Sequence, residues 1–173
     1  MVDEEQLFFR FKGKAVLLDS NLLLVFLSGL LGARVFQSFK RVSKYEFSDY
    51  ELLVRLLGSF SVLLITPHIL TEVSNLADGL TGSYKRDWDV NFAALVRSEG
   101  MRVGVRERWT SAIELSEMPE FLSFGIADTA ITRLSSEALV VTEDRRLSGV
   151  LRSRDIPVLN FGDLRKIRLH GKN

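Results

Sequence analysis

A chain of 173 residues, 46% of them hydrophobic, fits one globular domain spanning residues 1–173 with a full-sized core, and leaves no linker to explain. Twenty-three Lys and Arg against 22 Asp and Glu leave a net charge of +1, which does not mark an overall basic nucleic-acid binder, so charge must be read locally. The absence of Cys excludes a disulfide framework, a thiolate zinc site and a Cys nucleophile, and it agrees with a reducing cytoplasm.

The first residues, MVDEEQLFFRFKGK, put acids where a signal peptide carries positive charge. The apolar run from Leu22 is interrupted by Ser28, Gly29 and Gly32, short of the roughly 20 residues that span a bilayer. The expectation is a soluble, cytoplasmic protein with no membrane segment. Four short continuous apolar runs predict strands covered on both faces: Ala15–Leu18, Val62–Ile65, Ala138–Val141 and Pro157–Leu159. Between them, helical spacing predicts helices over Leu22–Leu31, Asp49–Leu57, Pro67–Ala77, Trp88–Val96, Ala127–Leu134 and Leu147–Arg152. That alternation predicts an α/β layer fold on a parallel sheet with right-handed crossovers. Arg34 to Ser48, rich in Lys and aromatics, and the loop expected at Leu80 to Arg86 (LTGSYKR) both stand where they could border a site.

In open parallel sheets ligands bind at the carboxyl ends of the strands. The first run ends in Asp19, the second leads through TPHILTE to Glu72 about one and a half turns into its helix, and the third ends in TED, giving Glu143 and Asp144. A fourth acid, Asp128, borders the apolar stripe of Ala127, Ala130, Ile131 and Leu134. If these carboxylates converge, two charges about 4 Å apart repel by about 4 kcal/mol at an effective dielectric near 20, so the cluster must take up protons or attract cations. All-oxygen ligation suits Mg²⁺ or Mn²⁺, whereas two His and no Cys give zinc little to bind. Such a site points to phosphodiester hydrolysis.

Structural roles compete for the same residues. Asp144 and Asp128 each stand where a helix N-cap would, Glu72 alone would be a solvated helix residue, and His68 reads as a surface or supporting residue rather than a base. Asp19 differs, because a lone acid directly after a buried strand has few structural uses. Asp87, Asp89 and the acids Asp3 to Glu5 read as solvated charge.

Taken in order, LLDSNLLL, TPHILTEV, GIADTAI, VVTEDRRL and IPVLNF resemble the motifs of PIN-domain nucleases, a family that includes the VapC-like toxin ribonucleases, over residues 15–161. The resemblance implies a three-layer sandwich with a central parallel sheet of four to five strands flanked by helices. It implies Mg²⁺ or Mn²⁺ dependence and cleavage of single-stranded or structured RNA. It carries over Asp19, Glu72, Asp128 and Asp144 as the acidic quartet that binds metal and catalyses, with Asn21 and Thr142 as polar neighbours. A toxin role would add an antitoxin partner. The segment LLLVFLSGLLGARVF offers either a face for a partner helix or homodimer, or simply a core helix.

Charge placement is consistent with a phosphate partner. Arg145 and Arg146 follow Asp144 directly, and the basic tail of residues 162–173 carries Arg165, Lys166, Arg168 and Lys172. Two other classes compete. A phosphatase of the haloacid dehalogenase type also opens with an Asp after its first strand, but it needs a second Asp where this chain has Asn21. A PIN fold with an incomplete site would serve as an RNA-binding or interaction module.

Overall fold

The computed structural model describes residues 4–100 and 102–170. Strands β1 (Ala15–Leu18), β2 (Val62–Ile65), β3 (Gly104–Glu107), β4 (Leu139–Thr142) and β5 (Val158–Asn160) form one sheet in the order β3-β2-β1-β4-β5. Every pair is parallel, with Leu17 opposite Leu64 on one side and Val140 on the other. Because parallel strands need crossovers, each link runs through helix: α1 (Glu4–Phe11) precedes the sheet, then α2 (Ser20–Gly29), α3 (Ala33–Ser38) and α4 (Phe47–Leu57) join β1 to β2. Next, α5 (Pro67–Leu76) and α6 (Gly82–Val96) lead to β3, α7 (Ala112–Ser116) and α8 (Phe121–Leu134) to β4, and α9 (Arg145–Ser153) to β5. The last helix, α10, covers Phe161–His170. This is the expected α/β architecture, a central five-stranded parallel sheet flanked by helices, consistent with a three-layer sandwich.

The four apolar runs are strands because their side chains are buried on both faces of the sheet; Val16, Leu17, Leu18 and Leu139 to Val141 are all buried. The fifth strand, β3, has no such run. It lies at the sheet edge, where Gly104, Arg106 and Glu107 face solvent, and charged residues there discourage pairing with another chain. Residues 82–86, expected as loop, are the first turns of α6: Thr81 is extended and Gly82 takes φ 60°, so the small residues mark a helix start. The expected basic tail is also corrected. Residues 161–170 are helical, Phe161 is buried in the core and Leu164 packs against it. Lys172 and the side chain of Arg168 lie outside the described residues.

Helix α2 resolves the two readings of the long apolar segment. Leu22 to Leu27 are all buried, so the helix is apolar on every side because it runs through the core, and those residues offer no docking face. Among the described residues no helix is long and apolar enough to cross a membrane.

Helices α2 and α4 approach so closely that a Cβ on Gly29 would stand 2.0 Å from Cδ2 of Tyr50. Gly29→Ala is therefore expected to destabilise the fold by about 1–3 kcal/mol through overpacking, read as a lowered urea midpoint. An unchanged midpoint would show that Tyr50 has room to swing aside.

Candidate functional site

The strands deliver their carboxyl ends to one edge of the sheet, and β1 and β4 lie side by side at its centre. The chain leaves β1 at Asp19, whose N–H continues the pairing by donating to the Val141 carbonyl at 3.2 Å. The Asp19 carboxylate is 3% exposed and accepts three hydrogen bonds: from the Leu22 N–H at 2.7 Å, the Thr142 hydroxyl at 2.5 Å and the Glu143 N–H at 3.0 Å. Burial pushes its pKa up, and these three donors pull against that rise. The expectation that an acid here has few structural uses is corrected, because Asp19 is also the N-cap of α2.

The other three acids arrive from separate elements. Glu72 is exposed on α5 and its Oε2 accepts from the Ser20 hydroxyl at 2.6 Å. Asp144 is exposed after β4 and caps α9, with Oδ1 accepting from Arg146 N–H at 2.6 Å and Leu147 N–H at 3.1 Å. The Asp144 N–H donates to Thr142 Oγ1 at 2.9 Å, so one hydroxyl links Asp144 to Asp19. Asp128 is placed by a break in α8: Gly125 has φ 78° and ψ −177°, a region essentially closed to other residues. The Thr129 hydroxyl donates to the Gly125 carbonyl at 2.6 Å, tying the second half of the helix to the break.

These acids feel one another. Burial first, then the charges of Asp19, Glu72 and Asp144, push the half-buried Asp128 carboxyl up to about 7. The donor set is hard oxygen throughout, which fits Mg²⁺ or Mn²⁺. Among the described residues no three His, Cys, Asp or Glu side chains come close enough to share one ion directly. Ligation here would therefore use one or two carboxylates with water filling the shell, the ordinary way of holding Mg²⁺. Glu72 and Asp144 are exposed, Asp128 is half-buried and Asp19 is buried, and none of the four lines the cavity of about 790 Å³ along α6, which is bordered by Leu80, Lys85, Arg86 and Arg97.

Glu143 belongs to a different network. Its carboxylate accepts from Tyr45 OH at 2.7 Å and Arg165 Nη1 at 3.0 Å, and Lys44 Nζ lies 2.7 Å away. Although burial acts upward, the bonds from Lys44 and Tyr45 and the Arg165 charge hold Glu143 below the usual carboxylate range. Tyr45 is pushed up by burial and by the Glu143 and Asp19 charges, so it stays a neutral donor. Arg165 also reaches the fully buried Asp49 at 2.9 Å. Arg165 is thus spent on internal carboxylates, which corrects its expected place in a phosphate-binding tail.

Of the remaining expected residues, Thr142 is fully buried between Asp19 and Asp144, while Asn21 is exposed on the first turn of α2. His68 Nε2 lies 3.0 Å from the Thr110 carbonyl, a supporting contact. Arg145 is 3.9 Å from Asp163, and the Arg146 guanidinium lies 5.4 Å from the Phe124 ring centroid. Sequence reasoning missed Ser20, Lys44, Tyr45 and Phe124; the Lys- and aromatic-rich stretch containing Lys44 and Tyr45 was the available signal. No family model, curated protein or solved structure matches the chain.

Two outcomes are expected. Asp128 binds its proton more tightly folded than unfolded, so its ionisation costs nothing below about pH 4, costs more as pH rises toward 7, and levels off above that. In chelator, Asp128→Asn should match wild-type thermal stability near pH 4 and exceed it increasingly up to neutrality; a gap constant with pH would show that Asp128 is not raised in the folded state. Arg165→Gln removes the ion pairs to buried Asp49 and to Glu143 and should lower the unfolding free energy by about 1–3 kcal/mol, and an unchanged midpoint in denaturant titration would show that these pairs add nothing to stability.

Proposed function

We propose that this chain is a metal-dependent endoribonuclease of the PIN-domain type, with Asp19, Glu72, Asp128 and Asp144 as its acidic quartet. The observation that carries the reading is that burial, and after it the charges of Asp19, Glu72 and Asp144, lift Asp128 to about 7, so that four acids share one electrostatic neighbourhood where a cation would be favoured.

Bound at the acids, Mg²⁺ or Mn²⁺ would supply an activated water and charge stabilisation for the leaving oxygen. The chain's own residues set up that chemistry. Leu22 N–H, Thr142 Oγ1 and Glu143 N–H hold Asp19 in one orientation, and Ser20 Oγ does the same for Glu72. Two helix caps keep Asp19 and Asp144 at fixed positions beside each other's strands. Asp128 holds a proton near neutrality and would release it as positive charge arrives, so metal affinity should strengthen with rising pH. Arg145 and Arg146 supply cations to the phosphate backbone beside the acids. The partners of this reading are RNA and, where the chain acts as a toxin, an antitoxin protein; its compartment is the cytoplasm.

A second reading, an RNA-binding or interaction module without cleavage, is favoured by a specific observation. Asp19 and Asp144 already spend carboxylate oxygens on helix caps, and among the described residues no three acids meet at one point.

Incubation of the purified protein with single-stranded RNA and DNA in Mn²⁺, Mg²⁺ or EDTA separates the two. Cleavage that EDTA abolishes is expected, with Asp19→Asn, Glu72→Gln, Asp128→Asn and Asp144→Asn each slower by roughly 100-fold or more while the fold is retained. Cutting that persists in chelator, or wild-type rates for Asp19→Asn, would sink the nuclease reading. A protein that Mn²⁺ does not stabilise and that cuts nothing is the binding module.

A further inference from the structure

Among the described residues four cations stand near the acids or beside Glu143, and three of them have a carboxylate within ion-pair distance. Lys44 and Arg165 are paired with Glu143, and Arg145 faces Asp163. Arg146 is exposed, and among the described residues no carboxylate lies within ion-pair distance of it. Its backbone N–H is bound to Asp144 Oδ1 at 2.6 Å, so its Cα is fixed next to the acid cluster. Its guanidinium lies over the ring of Phe124, the residue just before the break at Gly125 that also places Asp128. Phe124 is itself held, being half-buried and packed against the core.

A guanidinium resting on an aromatic face differs from one in a salt bridge. A ring takes no N–H donor the way a carboxylate does, so a guanidinium held by a cation–π contact keeps its donor fork for a ligand. Such a fork matches two oxygens of a phosphate group. It is also what an anionic substrate needs here, because the acid cluster would otherwise repel a phosphodiester.

We infer that Phe124 and Arg146 form a phosphate clamp at the edge of the acidic site: Arg146 grips the nonbridging oxygens of a backbone phosphate next to the acids, and Phe124 is the positioning residue that aims it. The clamp rests on the nuclease reading for the identity of its ligand. It assigns the main phosphate contact to Arg146 rather than to Arg145, and it gives Phe124 a role that its partial burial alone would not.

The test uses the full chain and a labelled single-stranded RNA oligonucleotide. Dissociation constants are measured in EDTA across a salt series, and kcat and KM with Mn²⁺, for wild type, Phe124→Leu, Phe124→Tyr, Arg146→Ala and the Phe124→Leu/Arg146→Ala double variant. Arg146→Ala should weaken binding about tenfold and flatten the salt dependence by about one phosphate contact. Phe124→Leu should weaken binding about 2- to 5-fold, the size of an exposed cation–π contact, with KM affected more than kcat. Phe124→Tyr keeps the aromatic face and should restore affinity, and an unchanged thermal midpoint in Phe124→Leu separates the lost contact from a loss of folding. The double variant should bind no worse than Arg146→Ala alone, because Phe124 acts through Arg146. Full additivity, or wild-type affinity in Phe124→Leu, would overturn the clamp and leave a cutting wild type as evidence for the nuclease. The expected coupling in a protein that cuts nothing with any metal would keep the clamp and overturn the nuclease.

Discussion

The buried carboxylate of Asp19 is the contact on which the centre of this molecule depends. A carboxyl group at 3% exposure is tolerable only if hydrogen bonds replace the water it has lost. The three donors that do so come from the first turn of α2 and from two consecutive residues at the end of β4. One side chain therefore joins the carboxyl ends of the two central strands and starts the helix that fills the core. The same arrangement leaves its charge facing Asp128, which is how a structural cap and an electrostatic site coexist in one residue.

Around that centre the molecule separates its acids into two environments. Glu143 and Asp49 are answered by Lys44, Tyr45 and Arg165, and that network ties α4 and α10 to the turn after β4. Glu72, Asp128 and Asp144 have no cation of the chain within ion-pair distance among the described residues. Internal neutralisation thus stops at the very turn where Glu143 gives way to Asp144. The pairing that answers Glu143 is therefore missing one residue further on, at Asp144, among the described residues. Burial of the paired set is stabilising only because each partner is present, since an unmatched charge in that position is costly.

Backbone geometry does part of the same work. Gly125 breaks α8 in a conformation that other residues hardly adopt, and the break separates Phe124, packed on the core beneath Arg146, from Asp128 one turn further on. Strain-tolerant backbone next to a candidate site is a recurring arrangement, because it lets adjacent residues serve different surfaces. Here it allows one short segment to supply both an aromatic support and a carboxylate.

How much of this was legible in the sequence depends on what kind of signal each part leaves. The four inner strands announce themselves because burial on both faces requires unbroken apolar runs, and the position of Asp19 and Asp144 just beyond two of them follows from where a strand must end. The edge strand β3 leaves no such trace, since Gly104, Arg106 and Glu107 answer to solvent on the open side, and the helical start at Gly82 looks like a loop because small residues serve both. Residue type and order along the chain alone determined the layered α/β fold and the four candidate acids. The influence of Asp19, Glu72 and Asp144 on Asp128, the pairing of Glu143 with Arg165, and the seating of Arg146 on Phe124 join residues remote in the sequence. Only tertiary structure decided them, because Coulomb forces and hydrogen bonds act over a few ångströms of space, whatever the distance along the chain.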